Sequence, residues 1–381
     1  MSHYVYDLFV KRFGEKPAVC SYAPGRLEIL GNHTDYNEGY VLSCAVGQRT
    51  EFAMSPAEGT ICTICENGKD STLDLNDLDN KIKGDWHNYL KGLLVELRRR
   101  GIPFGAFHAA LHSEVPLSAG MSSSAALEMA FGFALKEIYP IKLSLPDWAR
   151  VGQAVENKYM GLNSGLLDQF SSLYGRKDSF ILCDFRSVEV LKTVPMPSGY
   201  VLVVANTMVK HNLVDSDYNL RRESCENAMR AIQKTHPEAK KLRDVDQATL
   251  DACRKDMARV DYLRALHVVG ENERVRKAVE LLEAGKVKEF GALLFQSHES
   301  SRCNFENSCP ELDALVELAH SIPGCIGARL SGGGFGGISI HLVEADKAGE
   351  YCERLKTAYH SLTGRKIDTL ICSIGDGAGI Y

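Results

Sequence analysis

Four segments combine residue types that could do chemistry. Residues 116–130 read PLSAGMSSSAALEMA, a Gly-Ser stretch that runs directly into an apolar helical pattern. The first N–H groups of a helix lack intrahelical partners and lie at the positive end of its dipole, so such a junction is an anion site. Small residues let a phosphate approach the backbone. The hydroxyls of Ser122, Ser123 and Ser124 can bond phosphate oxygens or a Mg2+ ion. One serine suffices for a helix cap; three in succession exceed what a cap requires. The second segment, AVENKYMGLNSGLLDQFSSLYG over residues 154–175, carries Glu156 on a helix and Asp168 after a glycine-containing turn. Two carboxylates suit metal-dependent phosphoryl transfer, one holding the metal and one facing the attacking hydroxyl. Taken singly, each would be an ordinary surface or capping acid.

The third segment, SYAPGRLEILGNHTDYNEGYVLS over residues 21–43, packs Arg26, Glu28, Asn32, His33, Asp35, Tyr36 and Asn37 around three glycines. Polar side chains between apolar strands are costly unless partners or a ligand satisfy them. Asp and Asn suit the hydroxyls of a sugar. The fourth, SGGGFGGISI over residues 331–340, contains a formal GxGxxG. A dinucleotide fingerprint runs from a strand into a helix, whereas ISIHLV alternates as a strand does. The glycines therefore predict a tight loop between two strands. No GxxxxGK[ST], HExxH or GxSxG is present, and Asp184-Phe185-Arg186 is only a near miss to the protein-kinase metal motif.

The elements that must position these residues follow from periodicity. An amphipathic helix is expected over 3–14. Strand, turn and strand follow from Ala18 to Leu42, punctuated by Pro24-Gly25 and Asn37-Glu38-Gly39. Residues 50–76 are strand-rich, 86–100 helical and 105–115 a strand. The apolar helix after Ser124 is buried on most sides. Ser144 and Asp147 form a capping box, with Pro146 in the first turn of a helix that reaches about Tyr159. Strand character returns over 178–206. From about 215 to 300 the pattern is mostly helical, and strands, a helix near 345–362 and a last strand near 367–374 end the chain. This order fits an α+β protein, divided near 190 into segments 1–190 and 191–381.

Composition narrows the partners. The 381 residues carry a formal net charge of -5, which disfavours nucleic acid. Arg98-Arg99-Arg100 before Gly101 reads as the last turn of a helix. The twelve cysteines are scattered. Cys62 and Cys65 have no second pair at zinc spacing and sit in a strand pattern, so buried free thiols are expected. No charged leader with a long apolar run opens the chain, and no apolar run approaches 18 residues. A cytoplasmic protein without membrane contact is expected.

The motifs together resemble those of the galactokinases, a branch of the GHMP small-molecule kinases. GRLEILGNHTDYNEG is similar to the galactokinase signature, usually written GRxNLIGEHTDYNxG. PLSAGMSSSAALE resembles the superfamily's phosphate loop and LSGGGFGG its third motif. GLLDQFSSLYG, DSDYNLRRESCE, ALHVVGENERV and SHESSRCNFENSCPELD also read like galactokinase segments, so the resemblance spans nearly the whole chain. It implies a two-domain GHMP kinase fold: a ribosomal-protein-like N-terminal domain with a left-handed βαβ unit, a ferredoxin-like C-terminal domain, and an active site between them.

The resemblance also implies roles. Asp168 would accept the proton of, or orient, the anomeric hydroxyl, and Arg26 would stabilise charge on the transferring phosphoryl group. Ser124 and Glu156 would hold Mg2+. Gly120, Met121, Ser122 and Ser123 would wrap the phosphates of ATP, and Trp86 would lie against the adenine. His33, Asp35, Gly165 and Tyr218 would contact a monosaccharide, galactose, in a monomer or weak dimer. Galactokinases normally carry Glu where this chain has Asn32, and Asn where it has Glu28. The resemblance implies that the usual Glu holds a hydroxyl near C6, so Asn32 falls at a sugar contact, and its neutrality would tolerate a carboxylate there. A compensated exchange within galactokinases is the alternative. Kinases for galacturonate, arabinose or N-acetylgalactosamine, and a non-catalytic sugar and ATP sensor, are the other readings; the intact SSSAA stretch with Arg26 and Asp168 argues against the sensor.

Overall fold

The computed structural model describes residues 4–116, 120–210 and 214–381. Leu117, Ser118 and Ala119 of the Gly-Ser stretch lie outside the described residues. Twelve strands form two sheets: β1 (Val19–Leu30), β2 (Tyr40–Pro56), β3 (Ile61–Glu66), β4 (Lys69–Asp74), β5 (Phe107–Ser113), β6 (Ser179–Asp184), β7 (Glu189–Pro195), β8 (Tyr200–Lys210), β9 (Cys325–Ser331), β10 (Gly336–Glu344), β11 (Asp368–Cys372) and β12 (Gly379–Ile380). Eight of them make a sheet ordered β12-β1-β2-β5-β3-β4, with β6 on β2 and β7 on β6. The other four are ordered β11-β8-β10-β9, all antiparallel. In the larger sheet β3 and β5 alone among the pairs run parallel.

The helices are α1 (Tyr4–Phe13), α2 (His87–Arg99), α3 (Ser123–Ile138), α4 (Leu145–Ala154), α5 (Leu167–Tyr174), α6 (Val214–Ile232), α7 (Gln247–Ala252), α8 (Arg259–Glu283), α9 (Val287–Ser300), α10 (Pro310–Ser321) and α11 (Ala348–Thr363). Short π-helical turns follow α4 (Val155–Met160) and α9 (Ser301–Phe305). α3 is the apolar helix the sequence predicts, with ten of its residues buried among β1, β2, α2, α4 and α5. Gly132 on it admits the Trp148 ring of α4, which a Cβ would meet at 2.7 Å. Ser144 caps α4 by accepting the Asp147 N–H. Cys62 and Cys65 are buried free thiols on β3. No helix of the described residues is long and apolar enough to cross a membrane.

Three expectations change. Pro24-Gly25 does not break the chain: β1 runs through it with a register shift between Pro24 and Arg26. The shift is a bulge, and it is used for a close approach. The Arg26 N–H donates to the Met121 carbonyl at 3.0 Å, and a Cβ on Gly25 would lie 2.7 Å from that same oxygen. The helix expected to reach Tyr159 widens into a π turn from Val155. The segments drawn at 190 are not the two sheets, because β7 reaches Pro195 and β12, from the far end, pairs with β1 through Ser21 and Ile380. The Gly-rich segment, by contrast, is the expected strand–loop–strand, from β9 to β10.

Gly25→Ala pushes a methyl group into the Met121 carbonyl, and overpacking of this kind costs roughly 1–3 kcal/mol. Urea unfolding should show that loss, and a midpoint equal to wild type would mean the bulge has slack.

Candidate active site

One cavity of about 600 Å³ opens between the two sheets. β1 supplies its floor. Along Arg26-Leu27-Glu28-Ile29 alternate residues face opposite sides, so Arg26 and Glu28 line the cavity while Leu27 and Ile29 enter the core. Arg26 is buried and turns its guanidinium on Asp168, with Nε and Nη2 donating to Oδ1 at 2.8 and 2.7 Å. Its Nη1 donates to the Gly120 carbonyl. The second carboxylate oxygen of Asp168 accepts from the Ser122 hydroxyl. Ser122 occupies the N-cap position of α3 with a left-handed φ of 53°, yet its side chain caps nothing. The first N–H groups of α3 are thereby left without a side-chain cap at the cavity wall.

Glu156 stands on the π turn, where single-turn widenings often mark functional sites. Its Oε1 accepts from the Ser124 hydroxyl at 3.2 Å and its Oε2 from the Ser164 hydroxyl at 2.5 Å. Burial, and then the negative charge of Asp168, push its carboxyl up to about 7. Behind it, Glu128 of α3 accepts from the Gln169 amide at 3.1 Å, and burial followed by the charge of Glu156 holds its carboxyl well above the usual range.

The Thr34–Asn37 turn carries the next group. His33 adopts a left-handed φ of 60°. Its Nδ1 lies 2.8 Å from the Tyr36 hydroxyl and its Nε2 3.3 Å from the Gly333 carbonyl. A carbonyl only accepts, so the bonding assigns the proton to Nε2. Burial, then the neighbouring His267, push the imidazole down to about 3, so it is neutral at pH 7. Asp35 accepts from the backbone of Tyr36 and Leu167 at 2.9 and 3.3 Å, and burial pushes its carboxyl up to about 6. A Cβ on Gly165 would fall 1.8 Å from Asp35 Oδ2, so this carboxylate requires glycine there. Tyr218 of α6 sits edge-on to Tyr36 and against His33, with ring centroids 6.0 and 4.9 Å away.

The cavity thus brings together Arg26, Asn32, His33, Asp35, Gly165, Asp168 and Tyr218 with Gly120, Ser122, Ser123, Ser124 and Glu156. Trp86, at the start of α2, joins them with Tyr89, Leu127 and Met160 on an apolar wall. Met121 stands apart: its side chain is buried in the core beneath, and only its carbonyl is engaged, by Arg26. The sequence reading counted Glu28 in the polar cluster without giving it a role at a ligand, and left Ser164 and Tyr89 out of the site. Alternation in GRLEIL marks Glu28 as facing the same way as Arg26, and Tyr89 stands one helical turn beyond Trp86. Nothing in the local sequence distinguishes Ser164.

Comparison with known proteins resolves the family. A galactokinase galactose-binding signature matches residues 7–56, GHMP kinase N-terminal and C-terminal domains match 88–176 and 278–361. A galactokinase of Roseiflexus sp. (strain RS-1) is 36% identical over 374 residues, covering 98% of this chain and 95% of that protein. The chain belongs to the galactokinase family. The crystal structure of Lactococcus lactis galactokinase complexed with galactose superposes with a TM-score of 0.93 at 30% identity, covering 98% of each chain. Methanococcus jannaschii mevalonate kinase shares the fold, with a TM-score of 0.64 at 17% identity over 94% of this chain and 98% of that one. The galactokinase-family chain therefore has the two-domain GHMP kinase fold, with ATP as the co-substrate that kinase family uses.

The raised carboxyl of Asp35 gives a pH prediction. The folded protein holds this proton to about pH 6, whereas the ordinary value for an Asp side chain is 3.8. Folded stability from the group is therefore full below about pH 4 and is lost as pH rises through 6. Asp35→Asn should gain stability relative to wild type between pH 5 and pH 8, by about 1 kcal/mol for this half-buried side chain. Paired urea unfolding at the two pH values measures it; a difference that does not change with pH would contradict the shift.

Proposed function

We infer that the chain transfers the terminal phosphoryl group of ATP to the anomeric hydroxyl of D-galactose, giving α-D-galactose 1-phosphate and ADP. The observation that carries this reading is the Arg26–Asp168 pair, set beside the uncapped start of α3 in a chain of the galactokinase family. Phosphoryl transfer asks the protein chiefly for positioning and charge neutralisation. Asp168 has Oδ1 committed to Arg26, so the lone pair left on Oδ2 beside Ser122 is the one that would orient the attacking hydroxyl and take its proton. Arg26 would offset charge on the moving phosphoryl group. The N–H groups at the start of α3, with Gly120, Ser122 and Ser123, would cradle the phosphates. Trp86 and Tyr89 would face the adenine. His33, Asp35, Gly165 and Tyr218 would hold the sugar.

The residues fit a Mg2+ ion. Glu156 is a buried carboxylate whose direct hydrogen-bond partners among the described residues are the hydroxyls of Ser124 and Ser164, and burial and the charge of Asp168 raise its carboxyl more than Arg26 lowers it. Mg2+ keeps several of its waters and needs few protein oxygens. Ser124 and Glu156 would hold it, and the ion would supply neutralisation at the phosphate oxygens.

ADP release coupled to an indicator, with galactose, galacturonate, arabinose and N-acetylgalactosamine in turn, tests the reading. Turnover with galactose is expected; binding of galactose and ATP without ADP formation would make the chain a sensor. Asp168→Asn should lower kcat by about 10²–10⁴-fold, the range for a positioned proton acceptor, with the fold intact. A variant that keeps half the wild-type rate removes Asp168 from the chemistry. Ser124→Ala and Glu156→Ala should each shift half-saturation by Mg2+ several-fold upward; unchanged titrations in both would place the metal elsewhere.

A further inference from the structure

Glu28 is a buried carboxylate at the cavity that the phosphoryl-transfer reading does not use. Alternation along β1 aims it to the same side as Arg26, and it is 2% exposed. Its Oε1 is fully engaged: the Asn32 amide donates to it at 2.8 Å and Arg329 Nη1 at 3.0 Å. The same Nη1 also reaches the carbonyls of Glu28 and Ile29, so the cation is fixed from the strand's own backbone. Oε2 receives no donor among the described residues. Burial raises this carboxyl, while Arg329, Arg26 and Asn32 pull it back toward ionisation. Glu28 lines the cavity, and a carboxylate oxygen left free there is an acceptor that a ligand hydroxyl can fill.

Asn32 is differently placed. Its amide gives one hydrogen to Glu28 and the other to the Gly332 carbonyl at 2.8 Å, and its oxygen accepts from the Asn307 amide at 2.9 Å. Both donors are spent inside the protein. The neutrality of Asn32 therefore does not make this end of the cavity neutral, because a carboxylate lies one hydrogen bond away from it. The exchange of Glu and Asn between positions 28 and 32 moves the charge within one bonded pair and leaves the pair intact.

Resting on the sugar-kinase reading, we propose that Glu28 is a specificity-determining residue: its free oxygen accepts a hydrogen bond from a hydroxyl of a neutral monosaccharide, and its charge turns away a sugar bearing a carboxylate at that position. A hydrogen bond to an ionised acceptor weakens when the charge is removed, and a like charge nearby is what rejects an anionic competitor. Galactose and galacturonate are the probes, since they differ only at C6, a hydroxymethyl group against a carboxylate.

Initial rates on the full chain with saturating Mg2+ and ATP give kcat and KM for each sugar. Wild type should favour galactose over galacturonate by at least 100-fold in kcat/KM. Glu28→Gln should raise KM for galactose about tenfold or more, change kcat less than threefold, and narrow the galactose preference at least tenfold. Glu28→Asp keeps the charge beside Arg329 and withdraws the free oxygen, so it should raise KM for galactose while still rejecting galacturonate. This second variant guards against misfolding of Glu28→Gln, whose buried Arg329 loses its counter-charge. Wild type turning over galacturonate as efficiently as galactose overturns the proposal without any variant. So do folded variants that all keep KM for galactose within twofold of wild type. Absence of turnover with every sugar would instead remove the kinase reading itself.

Discussion

The structure is organised around one buried guanidinium. Arg26 enters the cavity from β1, and an unpaired cation there would cost several kcal/mol, so its partners are fixed as tightly as it is. Those partners lie on different elements: Asp168 at the start of α5, and the Gly120 carbonyl ahead of α3. The Arg26 N–H and the missing side chain of Gly25 bind β1 to Met121 in the same loop. One strand residue thereby sets the distance between the Gly-Ser junction and the carboxylate beside it. The uncapped serine follows from this, because the Ser122 hydroxyl is drawn to Asp168 rather than to its own helix.

Charge in the cavity is deliberately unbalanced. Asp35, Glu156 and Glu128 are all raised, with burial as the leading cause in each, and each is also raised by a neighbouring carboxylate. Buried acids of this kind subtract from the stability of the ligand-free protein at neutral pH. His33 avoids adding to the strain by staying neutral between Tyr36 and Gly333. Glu28 is raised by burial too, but like Asp168 with Arg26 it has a counter-charge built into the protein, in Arg329.

What the sequence made legible was local. Glycine and serine before an apolar helix, a polar cluster between strands and an alternating segment after the glycines each have one physical reading, and those segments meet in the cavity. Facing was legible where a strand is regular, as in Arg26 to Ile29. Partners were not. Glu28 and Arg329 are 301 residues apart, and Asn32 meets Asn307 across 275 residues. Periodicity reports which side a residue takes and is silent about what arrives there from elsewhere. That is why Asn32 reads as a sugar contact in the sequence, while in the folded chain its amide serves Glu28 and Gly332. Pro24-Gly25 misled for a related reason: a glycine needed for a close tertiary approach looks identical to one needed for a turn.

The pairing of β12 with β1 has a bearing on how the chain is made. The larger sheet takes its other strands from residues up to Pro195, but the strand that covers its β1 edge is Gly379–Ile380. At roughly 5–20 residues per second of synthesis, that edge stays unpaired for about 10–40 s after β7 has emerged from the ribosome. An open strand edge is a template for pairing with other chains. During translation the Ser21–Tyr22 stretch of that edge therefore waits, unpaired, for Gly379–Ile380 to arrive.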